Sequence, residues 1–148
     1  MMKKALIGAA MAITIGSASA ADLTVSYNRD TTNGINGGGL ALSASVQKAT
    51  VALTFDRFTK GTDVDSYGLV GSYEMFKIGK LGVSGQLGVS YLDVERGRSG
   101  LAGTVGLGVA YPLTKQFAIV ADATRIMPED KIKSQEATIV SLGIRTSF

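Results

Sequence analysis

The residue types that most enzymes use for acid-base and nucleophilic chemistry are scarce in this sequence, which has no histidine and no cysteine. Without histidine, the usual general base of hydrolases and acyltransferases is missing, and so is the commonest metal ligand. Ser45 and Lys48 match an S-x-x-K spacing, but three residues apart on a strand the two side chains point to opposite faces. We therefore expect no catalytic residues, no cofactor and no metal site.

Two glycine clusters superficially resemble phosphate-binding loops. They comprise Gly34, Gly37, Gly38 and Gly39, and then Gly103, Gly106 and Gly108. Neither cluster continues as G-x-G-x-x-G or G-K-[ST], and no strand-to-helix pattern surrounds them. Glycine that fills or bends a tight β-structure is the favoured interpretation.

The best candidates for a functional cluster are four charged residues, Asp22, Glu74, Asp122 and Arg145. All four fall on the polar faces of predicted strands, and Asp22 and Arg145 lie near the same end of the first and last strands. A guanidinium inside a narrow interior requires carboxylate partners, because an unpaired buried charge is costly. We predict that these residues form a charge network that either locks a filled lumen or gates a narrow channel.

The elements that carry these residues are strands, because apolar residues recur with period two in eight segments. The segments cover residues 23–27, 40–46, 51–55, 67–75, 81–91, 101–111, 117–123 and 140–148. In the last of them Val140, Leu142 and Ile144 share one face, while Ser141, Gly143 and Arg145 share the other. The chain ends on Phe148, on the apolar face.

The opposite faces are rich in glycine, serine and threonine, which suits a narrow lumen, whereas the branched residues suit lipid. The pattern predicts an all-β fold, an eight-stranded antiparallel up-and-down transmembrane β-barrel. Eight strands leave an interior that side chains nearly fill. Gln47 and Gln86 are expected to obstruct it together with the charged residues.

Connections and aromatic residues support the same topology. Lys48-Ala49, residues 77–80 and residues 112–116 are predicted as short turns, and residues 30–36, 59–64, 96–100 and 127–134 as longer polar loops on the other side. The ten aromatics are expected in two interfacial bands. Tyr27, Phe55, Phe58, Tyr67 and Tyr91 form the loop-side band, and Tyr73, Phe76, Tyr111, Phe117 and Phe148 the turn-side band.

The N-terminus has the pattern of a secretory signal peptide. Lys3 and Lys4 precede an apolar run, and Ala18-Ser19-Ala20 is a small-residue cleavage site. We predict a signal peptide over residues 1–20 and one barrel domain over residues 21–148. Cleavage removes two positive charges from a formal net charge of +3, so no nucleic-acid partner is implied. The apolar run is shorter than the ~20 residues of a membrane-spanning helix.

Together, the signal peptide, the eight alternating segments and the terminal Phe148 resemble the small eight-stranded outer-membrane proteins of Gram-negative bacteria. This group includes the OmpA barrel, OmpX and Opa-like proteins, often called porin-family β-barrels. The resemblance implies export to the bacterial outer membrane, contact with its lipid, and recognition of Phe148 by the barrel-assembly machinery. It leaves two roles open, a structural or surface-interaction barrel and a low-conductance passive channel gated by the lumenal charges.

Arginines near the loop side suggest lipopolysaccharide as a further partner. Arg57, Arg96, Arg98 and Arg125 lie at or above the loop-side aromatic band and could contact lipopolysaccharide phosphates. Acidic residues share this rim and leave it nearly neutral. The oligomeric state is left open by the sequence.

Overall fold

The computed structural model describes residues 20–60 and 62–148, which form a closed antiparallel barrel of eight strands in sequence order. The strands are Ala20–Asp30 (β1), Ile35–Val46 (β2), Ala49–Lys60 (β3), Thr62–Ile78 (β4), Leu81–Val94 (β5), Gly100–Pro112 (β6), Phe117–Pro128 (β7) and Ala137–Ser147 (β8). A 3-10 helix, Asp130–Gln135, lies between β7 and β8. The predicted fold class is confirmed. The predicted signal peptide lies outside the described residues apart from Ala20, which is the first residue of β1.

Closure depends on the pairing of the first and last strands, which runs from Asp22 opposite Ser147 to Asp30 opposite Ile139. Beyond this ladder, Phe148 N–H donates to the Ala21 carbonyl at 3.0 Å. Because every strand has two neighbours, the barrel has no free edge and its backbone groups are paired within the sheet, as a lipid environment requires. No helix in the described part of the chain is long and apolar enough to cross a membrane.

The connections separate into two ends. Gln47-Lys48, Gly79-Lys80 and residues 113–116 connect strands at one end, here called the short-turn end. The 3-10 helix and residues 31–34 and 95–99 lie at the other, the long-loop end. The predicted separation of the connections into two ends is therefore confirmed, but the predicted loop at 59–64 is mostly strand, since Lys60 pairs with Thr62. The prediction that Gln47 obstructs the lumen is wrong, because Gln47 is exposed in a turn and has a φ of 56°.

The outer face is apolar over most of its height. Leu87 is 69% exposed, and many other branched or aromatic side chains on the same face are exposed as well. A surface of this kind is unfavourable in water, since each buried Å² of apolar surface contributes about 25 cal/mol. It matches the apolar band that transmembrane barrels present to lipid. Phe55 and Tyr67 pack their rings 5.2 Å apart on this face, as the loop-side band predicts.

Candidate functional site in the barrel lumen

The four residues of the predicted charge network all line the interior, at two levels. Asp122 and Arg145 line a central chamber of about 160 Å³. Asp22, Glu74 and Arg145 line a second cavity at the short-turn end. Arg145 therefore borders both spaces, and the structure brings the four residues into one lumen.

The direct partners differ from those expected. Ser147 Oγ donates to Asp22 Oδ1 at 2.5 Å, Lys77 Nζ lies 3.7 Å from Glu74 Oε1, and Gln86 Nε2 donates to Asp122 Oδ1 at 2.6 Å. Among the described residues no carboxylate forms an ion pair with Arg145, and its Nε has no hydrogen-bond partner. The reason is local register. Ser147 lies directly opposite Asp22, for example, and satisfies it without a long side chain having to bend.

The central chamber contains two amide–carboxylate pairs of the same design. Asn28 Nδ2 donates to Asp56 Oδ1 at 2.5 Å, as Gln86 does to Asp122. In each pair a glycine of the intervening strand lies directly opposite the aspartate. Gly39 on β2 is opposite Asp56, and Gly108 on β6 is opposite Asp122. The pairs are four strands apart, so they occupy opposite walls of the eight-stranded barrel.

These two glycines are needed because a side chain would occupy the space of the carboxylate. A Cβ at Gly39 would contact Asp56 Oδ1 and would lie 2.7 Å from Ser26 Oγ. A Cβ at Gly108 would contact Asp122 Oδ1 and would lie 2.6 Å from Gln86 Nε2. Gly39 and Gly108 therefore do not fill the lumen themselves, as the sequence analysis expected, but leave room for the side chains of neighbouring strands.

An apolar cluster lies in the interior near the long-loop end, a feature that the sequence analysis missed. Its members are Phe58, Leu92, Ala102, Ile126, Ile132, Ala137 and Ile139, with Ile35 and Val64 packed against them. We call this cluster the apolar seal. The prediction that Phe58 belongs to an interfacial band is wrong, since its side chain is buried in the seal and only 7% exposed. The available signal was that Phe58, Leu92, Ile126 and Ile139 interrupt the polar faces of their strands near this end.

The 3-10 helix completes the seal from outside. Ile132 belongs to this helix and is only 2% exposed. Its loop is fixed by Glu129, whose N–H donates to the Leu101 carbonyl at 3.0 Å and whose Oε1 accepts the Leu101 N–H at 2.6 Å. That hydrogen bond is the main reason why the pKa of Glu129 lies below its ordinary value. A carboxylate that remains charged at neutral pH therefore holds the loop in place.

The loop-side arginines fall into two classes. Arg57 forms a bidentate pair with Asp65 at 2.7 and 2.8 Å, and Arg125 pairs with Glu136 and Thr138. Arg96 and Arg98 are exposed, and neither has an ion pair among the residues that the structure describes. Of the four arginines, Arg96 and Arg98 are thus the two whose guanidinium groups remain available to bind an external anion.

Solved structures with the same fold include small bacterial outer-membrane barrels. The N-terminal β-barrel domain of Pseudomonas aeruginosa OprF is similar with a TM-score of 0.73 and 12% identity, over 88% of this chain and 98% of that one. Ail, the attachment invasion locus protein of Yersinia pestis, has a TM-score of 0.59 and 14% identity, over 88% of this chain and 99% of its own. Neisserial surface protein A has a TM-score of 0.58 and 16% identity, over 87% of this chain and 95% of its own. No family model and no curated protein matches the sequence. The fold is that of the eight-stranded outer-membrane barrels.

Proposed function

We propose that this chain is an integral outer-membrane protein with a structural or surface-interaction role and no catalysis. The observation that carries the proposal is the apolar seal across the long-loop end of the lumen. Water and ions cross an apolar constriction poorly, because it offers no hydrogen-bond partners for the hydration they would lose. A barrel closed in this way acts through its surfaces.

The location is supported by the lipid-like outer face and by the fold shared with OprF, Ail and neisserial surface protein A. Cleavage after Ala20 and export through a signal peptide belong to the same proposal. In this orientation the long-loop end faces the outside of the cell and the short-turn end faces the periplasm.

Two matched lysines test this orientation. The native chain has no cysteine, so Lys131→Cys and Lys115→Cys each introduce the only thiol. Both positions are exposed, one in the 3-10 helix and one in the turn between β6 and β7. On intact cells an impermeant maleimide should label the Lys131→Cys variant and spare the Lys115→Cys variant. Lysed cells provide the control in which both react, and the reverse pattern on intact cells would invert the topology.

Phe148 is proposed as the signal read by the barrel-assembly machinery. Its backbone is hydrogen-bonded to that of Ala21, while its side chain is exposed on the outer face at the short-turn end. Phe148→Ser should leave signal-peptide processing intact but lower the yield of folded, heat-modifiable barrel in cells. Phe117→Ser, which alters a neighbouring outward phenylalanine, serves as the control and should retain a higher yield. Equal yields from native-level expression of Phe148→Ser and the unaltered chain would remove Phe148 from this role.

Lipopolysaccharide is the partner that we propose for the outer rim. Arg96 and Arg98 are the best placed to bind its phosphates, since Arg57 and Arg125 are already paired with carboxylates. The loops are too short to enclose a ligand without help, which favours a flat partner such as lipopolysaccharide or another envelope protein.

A low-conductance channel is the second candidate. One observation favours it: Arg145 borders both the central chamber and the cavity at the short-turn end, where its movement would connect or separate them. Conduction through the whole barrel would also require the apolar seal to open. Conductance in planar bilayers distinguishes the two roles.

A further inference from the structure

The charges around the central chamber do not balance. Its lining contains the carboxylates of Asp56 and Asp122 and one guanidinium, that of Arg145. The amides of Asn28 and Gln86 that bond to the carboxylates are neutral. With both carboxylates ionised, the chamber has one uncompensated negative charge, and burying such a charge is costly.

The chamber also presents two buried oxygens that have no hydrogen-bond partner. Asn28 is only 1% exposed, and its Oδ1 has no hydrogen-bond partner. The orientation of this amide is fixed, because the Nδ2 group donates to Asp56 and Oδ1 must point elsewhere. Ser90, which is 5% exposed and lines the same chamber, likewise has a buried Oγ without a partner. Both observations are independent of the charge count, and both oxygens are able to coordinate a cation. Arg145 Nε, which lines the same chamber and also has no partner, is a donor and would take no part in that coordination.

We propose that the central chamber binds a small monovalent cation, with Na⁺ as its representative, through oxygens of Asp56, Asp122, Asn28 and Ser90 or waters held by them. One positive charge neutralises the chamber, whereas a divalent ion would leave an excess of the opposite sign. Ca²⁺ takes six to eight oxygens, with several carboxylates among them. In the part of the chain that the structure describes, no group of three or more acidic, histidine or cysteine residues is arranged to hold a metal. A monovalent ion is the better match to two carboxylates and neutral oxygens.

The chamber has a different boundary at each end. Toward the long loops, Phe58, Ile126 and Ile139 of the apolar seal lie between the chamber and a further cavity. Toward the short turns, Arg145 borders both the chamber and the cavity that Asp22 and Glu74 line. Because ions cross an apolar constriction poorly, we expect the cation to exchange with the short-turn side. The site would stabilise the barrel from within and would not conduct, in keeping with its seal.

Linkage of stability to Na⁺ tests the site, because a ligand that binds only the folded state raises stability with its concentration. The folded protein in nonionic detergent is heated in NaCl or in N-methyl-D-glucamine chloride at the same ionic strength. The midpoint of unfolding, read from heat-modifiable gel mobility, should rise with Na⁺ and stay flat with the bulky cation. Broadening of the ²³Na resonance by the unaltered protein should accompany the rise.

Variants locate the effect. Asp56→Asn and Asp122→Asn should each abolish the dependence on Na⁺, while Asp130→Asn, which alters an exposed carboxylate of the 3-10 helix, should retain it. The unaltered protein decides the matter if a variant fails to fold. Equal midpoints in the two salts, with no broadening of the sodium resonance, would overturn the proposal. Stability that responds to pH but not to Na⁺ would also overturn the proposal, because a proton or water would then take the place of the cation in the chamber.

Discussion

Phe58→Ala is expected to lower the free energy of unfolding by about 3–5 kcal/mol, the usual cost of truncating a buried phenylalanine. Phe58 fills the apolar seal among Leu92, Ile126 and Ile139, and the surrounding barrel wall cannot collapse into the space it leaves. Urea unfolding in detergent, followed by heat-modifiable gel mobility, measures the loss.

Phe117→Ala is the matched control for this prediction. Its ring lies on the outer face and is 44% exposed to the surrounding apolar medium, so truncation creates no cavity inside the protein. The loss at Phe117 should be clearly smaller than at Phe58. Equal losses would mean that the buried Phe58 ring stabilises the barrel no more than an outward ring does, and that the seal does not stabilise the barrel.

Arg145→Ala is expected to cost about 2–3 kcal/mol, below the roughly 3–5 kcal/mol of breaking a contacting buried ion pair. The difference arises because no ion pair joins Arg145 to a described carboxylate, although the guanidinium lines the same chamber as Asp56 and Asp122. Its removal leaves two carboxylates in the chamber without a compensating charge. Urea unfolding at low concentrations of small cations measures the effect.

A double-mutant cycle identifies the cause. Asp122→Asn removes one negative charge, so the Arg145→Ala change should cost less in that background than in the unaltered chain. Asp130→Asn supplies the control background, in which the full cost should persist. Additive effects of Arg145→Ala and Asp122→Asn would show that the two charges do not interact and that Arg145 acts only by filling space.

The sequence was sufficient for the architecture because strand period, turn spacing and face composition are local properties. The alternation of Val140, Leu142 and Ile144 with Ser141 and Arg145 predicts which face of β8 is turned outward, and the closed barrel has that arrangement. Gly79, with φ of 61°, lies in a turn as its position between two alternating segments indicates. These features depend on residues close together along the chain.

The interior was less predictable because its contacts join residues from distant strands. Asn28 and Asp56 bond across β2 only because Gly39 lies between them, a relation that appears once the register is known. The expected pairing of Arg145 with Asp22 failed for a similar reason, since Ser147 is closer in register. The height of Phe58 along β3 suggests the aromatic band, but strand parity puts it on the face opposite to Phe55, and that face lines the lumen.

Conductance of the folded protein in planar lipid bilayers tests the central claim, that this barrel is sealed and acts through its surfaces. The unaltered protein should show no steady open state, because the apolar seal closes the long-loop end of the lumen. Replacing Phe58 and Ile132 together by serine should introduce current by making the constriction polar, while Phe117→Ser should leave the bilayer silent. A large, steady channel formed by the unaltered protein would contradict the account.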